Sequence, residues 1–305
     1  MILTQLIKQK ALELGFADCG IAQAKTLPQD ADHLRKWLEK EYHADMTYMS
    51  NHFDKRTDIR LLVENAQSIV VVLANYSPFH RQKADVPQVA KCAYGMDYHF
   101  VVKEKLRQLF AFINEHQPAN GRCFVDSAPV FEKRWAQQAG LGWIGKNDLL
   151  IHPKFGSFCF IGELILDIPL DYDSPMENRC GTCTKCLDAC PTNALVEPMQ
   201  LNAKRCLSYY TIESKREIPD GILQKLNRRV FGCDACQDVC PWNENVPTAK
   251  IPALIPSKKF LSLSSEQWKK MDKELFYTVF QKSAMKRAGF EKVKSIIERT
   301  EKERK

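Results

Sequence analysis

Apolar positions along the chain repeat with two periods, and the segments that carry them predict the first elements. "MILTQLIKQKALELGF" places its apolar residues at helical spacing and reads as an amphipathic first helix. "SIVVVLAN" (68–75) is an unbroken β-branched run, suited to a buried strand. Helical periodicity returns in "DYHFVVKEKLRQLFAFINEH" (97–116), and "RCFVD" (122–126) reads as a short strand. "PVFEKRWAQQAG" (129–140) opens on proline and closes on glycine, as helices tend to, and "FCFIGELILDI" (158–168) predicts another strand. This alternation predicts an α/β domain over 1–172, in the broad sense that includes α+β.

"PLDYDSPMENR" (169–179) has no periodicity and reads as a linker into a cysteine-rich module, placed at 173–250. A proline-punctuated connector then leads to a helical tail, so that the third segment runs over 251–305. The longest apolar runs are too short or too interrupted to span a bilayer. Lys8 and Lys10 break the apolar run that a secretory signal would need. A cytoplasmic protein without a membrane partner is the expectation.

Charge modifies this picture at one end only. The net charge is +7, and between Ile251 and Lys305 there are 14 Lys or Arg against 7 Asp or Glu, which leaves the remainder balanced. A basic tail suits a polyanion such as nucleic acid, although a solvated helix with alternating charges gives a similar count.

Cysteine changes the picture more. Of the 12 cysteines, Cys19, Cys92, Cys123 and Cys159 are scattered through the first half, where most read as small buried hydrophobes. The others fall into two blocks and a single residue. Cys180-x2-Cys183-x2-Cys186-x3-Cys190-Pro191 has the bacterial ferredoxin spacing, in which three thiolates grip one cubane and the fourth reaches the next. Cys233-x2-Cys236-x3-Cys240-Pro241 repeats the ending but has Val230 where the first cysteine would stand, and Cys206 is the substitute. The exchange rule assigns Cys180, Cys183, Cys186 and Cys240 to one [4Fe–4S] cluster, and Cys190, Cys206, Cys233 and Cys236 to the other. Structural zinc is the alternative, since Cys-x2-Cys pairs also serve that metal.

Two further patterns carry less. "GLGWIGKN" (140–147) satisfies phosphate-loop spacings, but a helix precedes it and Asn147 stands where a magnesium-binding hydroxyl belongs, so nucleotide binding is rejected. "DYHFVV" offers Asp97 and His99 but lacks the final glycine of the Asp-x-His-x-x-Gly corrinoid motif.

"YGMDYH" (94–99), "VDSAPVFEKRWAQQAGLGWIGKNDLLI" (125–151), "FGSFCFIGEL" (155–164), "CLSYYTIE" (206–213) and the cysteine blocks together resemble the epoxyqueuosine reductases. The resemblance implies a cobalamin-binding α/β domain followed by a ferredoxin-like domain with two [4Fe–4S] clusters and a short helical tail. It further implies reduction of epoxyqueuosine to queuosine at the tRNA wobble position, with electrons from an external donor such as flavodoxin or ferredoxin. Asp126 would be the proton donor and a cofactor contact, its pKa raised by an apolar corrin, although Asp126 or Ser127 would also serve as a helix N-cap. Arg56, Cys92, Lys146, Asn147 and Ser157 would line the corrinoid. A surface ion pair with Asp54 or Asp58 is the competing role for Arg56, a core thiol for Cys92 and a solvated lysine for Lys146. A reductive dehalogenase and a non-catalytic iron–sulfur carrier are the rival functions. The chain stops short of the C-terminal helical repeats of longer relatives, and its basic surplus would then provide the contact with RNA phosphates.

Overall fold

The computed structural model describes residues 2–302; Met1 and residues 303–305 of the tail lie outside it. The first helix, α1, spans Leu3–Glu13. Four strands form the main sheet: β1 (Asp18–Gln23), β2 (Ser68–Asn75), β3 (Gly121–Phe124) and β4 (Cys159–Leu166), in the order β1-β2-β4-β3. All three pairings are antiparallel.

The β-branched run of β2 is buried at every position because it lies between β1 and β4. Side-chain alternation sends Val70, Val72 and Ala74 to one face and Ile69, Val71 and Leu73 to the other. The first face is covered by α1 and by α2 (Tyr98–His116), which contributes Val102, Leu106, Leu109 and Ile113. The second is covered by α3 (Glu132–Gln138) through Trp135 and Ala136.

Three predicted boundaries move. The strand expected over 122–126 ends at Phe124, since Asp126 takes a left-handed φ of 56°. The helix expected from Pro129 begins at Glu132 with Phe131 at its N-cap, so neither Asp126 nor Ser127 caps it. The strand expected over 158–168 is Cys159–Leu166. By contrast, α2 starts where its periodicity does, with the Asp97 carboxylate accepting the His99 N–H at 3.1 Å.

A second core lies beyond the sheet. Trp268, Phe276, Phe280, Met285 and Ile296 pack with Tyr94, Leu207, Leu226 and Phe231, so the C-terminal helices, ending in α4 (Phe290–Lys302), share their apolar face with earlier parts of the chain. Among the described residues no helix is long and apolar enough to cross a membrane.

Candidate functional site

Asp126 opens onto a cleft of about 840 Å³, walled on one side by Cys92, Tyr98 and His99, and on the other by residues 212–218 and the C-terminal residues Arg287, Lys292 and Arg299. Its side chain is half-exposed. The Tyr98 hydroxyl donates to the Asp126 carboxylate at 2.7 Å, and His99 Nε2 stands 3.0 Å from the same oxygen. On the far side of the ring, His99 Nδ1 lies 2.6 Å from Asp97 Oδ1, and Arg287 approaches the other Asp97 oxygen at 3.5 Å. The Tyr98 ring stacks on Phe160 at 4.0 Å between centroids, which fixes the hydroxyl.

Two carboxylates facing the two ring nitrogens make both nitrogens donors, so His99 carries both protons. Burial pushes the His99 pKa down, but the bonds to Asp126 and Asp97 outweigh it and hold it above its ordinary value. For Asp126 burial pushes up, and the bonds from His99 and Tyr98 with the charges of His99 and Arg287 bring it below the carboxylate range. The raised pKa expected for Asp126 is that of a carboxyl facing a corrin; in the protein alone the labile proton rests on His99.

Beneath the same loop, Glu132 accepts the Asp126 amide N–H. Glu163, midway along β4, is fully buried and its carboxyl meets that of Glu132.

Arg56 is buried rather than paired at the surface; its Nη2 donates to the Tyr48 carbonyl at 3.2 Å, and Asp58 bonds to Arg60 instead. The Tyr48 phenol is pushed up to about 12 by burial and by Glu213 and Asp126. Burial pushes the Cys92 thiol up to about 12, so it stays neutral.

The cysteine blocks close on each other. Cys180, Cys183, Cys186 and Cys240 line one cavity with Lys146, Asn147 and Trp242. The Cys236 thiol is pushed up by burial and then by Cys233, Cys206, Cys190 and Cys186, so it stands near cysteines of both blocks. Lys146 is not a solvated side chain: its Nζ donates to the carbonyls of Gly181 and Cys183 at 2.7 and 2.9 Å. Ser157 Oγ bonds to Gln237 at 3.0 Å and accepts from Asn243 Nδ2 at 2.9 Å. Of the residues that the resemblance assigns to the corrinoid, Cys92 and Asp126 therefore line the cleft; Arg56 stands behind Tyr48, and Lys146, Asn147 and Ser157 stand against the cysteine module.

Sequence reasoning missed Tyr48, Tyr98, Glu132, Glu163 and Arg287, and weighed His99 only as a cobalt ligand. The available signal was Asp-x-His at a helix start, which turns the imidazole back onto its own cap residue.

Two family models match parts of the chain. Residues 56–127 match the family described as Epoxyqueuosine reductase QueG, DUF1730, and residues 179–243 match the 4Fe-4S double cluster binding domain. An epoxyqueuosine reductase of Cellulophaga algicola is 48% identical over 97% of this chain and 97% of its own. That of Escherichia coli is 38% identical over 94% of this chain and 77% of its own. The crystal structure of an epoxyqueuosine reductase with an epoxyqueuosine-modified tRNA-Tyr stem loop, 30% identical, superposes with a TM-score of 0.88 over 98% of this chain and 80% of that one. A double-cluster module beside a cleft with a carboxylate–imidazole chain defines an iron–sulfur oxidoreductase. Within that class, the chain belongs to the epoxyqueuosine reductase family.

Proposed function

We propose that this protein reduces epoxyqueuosine to queuosine at the wobble position of tRNA in the cytoplasm, with cobalamin in the cleft beside Asp126 and two [4Fe–4S] clusters fed by an external carrier such as flavodoxin or ferredoxin. Residues 1–172 would hold the cobalamin and 173–250 the clusters, with 251–305 closing the cleft. Cys180, Cys183, Cys186 and Cys240 would ligate one cluster; Cys190, Cys206, Cys233 and Cys236 would ligate the other.

The residues present fit a cofactor. Arg56 Nε and Asn147 Nδ2 are buried donors without a partner, and such donors mark a polar group still to be bound. Cys92 and Asp126 would meet it at the cleft wall, and Arg56, Lys146, Asn147 and Ser157, which stand outside that wall, are the further residues proposed to hold it. When bound, the cobalamin and the clusters supply the strongly reducing electrons that the reaction consumes.

The observation that carries the reading is the Asp97–His99–Asp126 chain at the cleft wall. Removing an epoxide oxygen as water breaks two C–O bonds, forms one C=C bond, and takes up two electrons and two protons. Asp126, half-exposed to the cleft, is placed to relay a proton from His99 to the departing oxygen. His99 Nε2, 3.0 Å behind it, holds that proton, and Asp97 stabilises the imidazolium until the proton is passed on. The base must enter from a single-stranded loop, where its edges are free, and the residues at 212–218 and 287–299 form the opposing wall.

The test is anaerobic reconstitution with iron, sulfide and cobalamin, followed by nucleoside analysis of an anticodon stem-loop carrying epoxyqueuosine. Formation of queuosine is the expected result. About eight irons per chain with no cobalamin retained and no queuosine formed would instead favour an electron carrier.

A further inference from the structure

Beneath Asp126 lies a carboxyl pair that the proton chain through His99 does not use. Glu163 has no exposed surface, and neither of its carboxyl oxygens meets an N–H or O–H donor. Strand alternation turns it toward the face filled by Trp135, Ala136, Ile161 and Ile165. Its carboxyl contacts that of Glu132, in the first turn of α3. Glu132 in turn accepts the amide N–H of Asp126, a non-glycine residue at φ 56°. Backbone in that region persists only when its surroundings hold it.

The titratable groups that face the pair are Asp126, His99 and the Tyr98 phenol. Two ionised carboxylates in contact under an apolar face would repel each other and lose their hydration with no donor in return. One proton on Glu163 resolves both difficulties, because the pair then consists of a donor and an acceptor.

We propose that Glu163 keeps its proton at neutral pH and donates it to Glu132, and that the Glu132 carboxyl fixed in this way anchors the backbone of the Asp126 loop. Both are positioning residues for the proton donor. The inference rests on the reading of Asp126 as that donor. Burial and the neighbouring carboxyl push Glu163 well up, which keeps the shared proton on it.

The first test is infrared spectroscopy of the full-length, cofactor-loaded protein at neutral pH. The wild type should show the carbonyl band of a buried protonated carboxyl, and Glu163→Gln should remove it. Identical carboxyl regions in the two spectra would overturn the proposal, whatever the enzyme does with RNA. The second test is kinetic. Glu163→Met removes the donor and should lower kcat about tenfold with KM for the stem-loop nearly unchanged, the pattern of a lost transition-state interaction. Glu163→Gln keeps an N–H toward Glu132 and should recover most of that loss; equal kcat in Glu163→Met and wild type would refute the anchor. Wild-type protein that shows the band but never forms queuosine would count against the proposed function and leave the proton on Glu163 standing.

Discussion

His99→Leu should separate the stabilising and chemical roles of the proton chain. His99 and Asp97 side chains are each only 10% exposed, and their contact is 2.6 Å, so removing the ring leaves a buried carboxylate with Arg287 at 3.5 Å as its remaining charged partner. Breaking such a pair costs about 3–5 kcal/mol, which for a chain of this size lowers Tm by roughly 10 °C. The pH dependence follows from the direction of each shift. His99 titrates above its ordinary value of 6.5, so its contribution is complete below 6.5 and is lost as pH rises through the raised value. Asp97 and Asp126 titrate below 3.8, so theirs is complete above 3.8 and lost only as pH falls through the depressed values. The Tm gap between wild type and His99→Leu should therefore be widest near pH 5–6 and shrink on the alkaline side. His99→Asn keeps an N–H toward Asp97 but none toward Asp126; it should fold better than the leucine variant and still lose about 100-fold in single-turnover rate, the usual worth of a general acid–base group. Calorimetry across pH and rapid-quench nucleoside analysis would measure both. A Tm gap that does not change with pH, together with a wild-type rate in His99→Asn, would refute the reasoning.

Asp126→Asn retains an acceptor for Tyr98 and should keep iron and cobalamin content while lowering kcat about 10²–10⁴-fold, as the loss of a general acid does; near-wild-type turnover would remove Asp126 from the chemistry. Cys206→Ser should roughly halve the iron bound per chain, from about eight to about four, since the crossed arrangement makes each cysteine serve one cluster; iron analysis showing no change would disprove the pairing. At Gly156, φ is 58° and an added Cβ would stand 2.0 Å from Asn243 Oδ1, so Gly156→Ala should cost about 1–3 kcal/mol by overpacking. Thermal unfolding would detect that loss and an unaltered Tm would contradict it. Stem-loop affinity should fall steeply with salt if Lys and Arg at the cleft rim meet phosphates, and a salt-independent Kd would show that they do not.

Local patterns made much of the fold legible and little of the site. Helix α2 could be read with its start because Asp97 caps it and the apolar positions keep step through Ile113. Strand β2 could be read because nothing polar interrupts its run between Ser68 and Asn75. Its antiparallel pairing with β4 was not legible, since register between strands so distant in sequence is set by packing. Asp126 was reached through resemblance, but its partners were not: Asp97 and His99 adjoin in sequence, while their approach to Asp126 depends on where the loop after β3 turns. Glu163 had a visible signal, a lone carboxyl inside "FCFIGELILDI", yet only burial and contact with Glu132 show what it signifies. The basic tail misleads when counted as charge alone, because Lys292 donates to the carbonyls of Ile212 and Ser214 and Arg299 to that of Ile218.

Those tail contacts bear on the timing of assembly during synthesis. One wall of the cleft is translated early, around Cys92–Asp126, and the other includes Arg287, Lys292 and Arg299 near the end of the chain. While the ribosome is still adding α4, the Asp126 side chain faces open solvent with half its enclosure missing. The cleft therefore comes into existence only once α4 has joined the earlier wall, and whatever it holds is enclosed after that step.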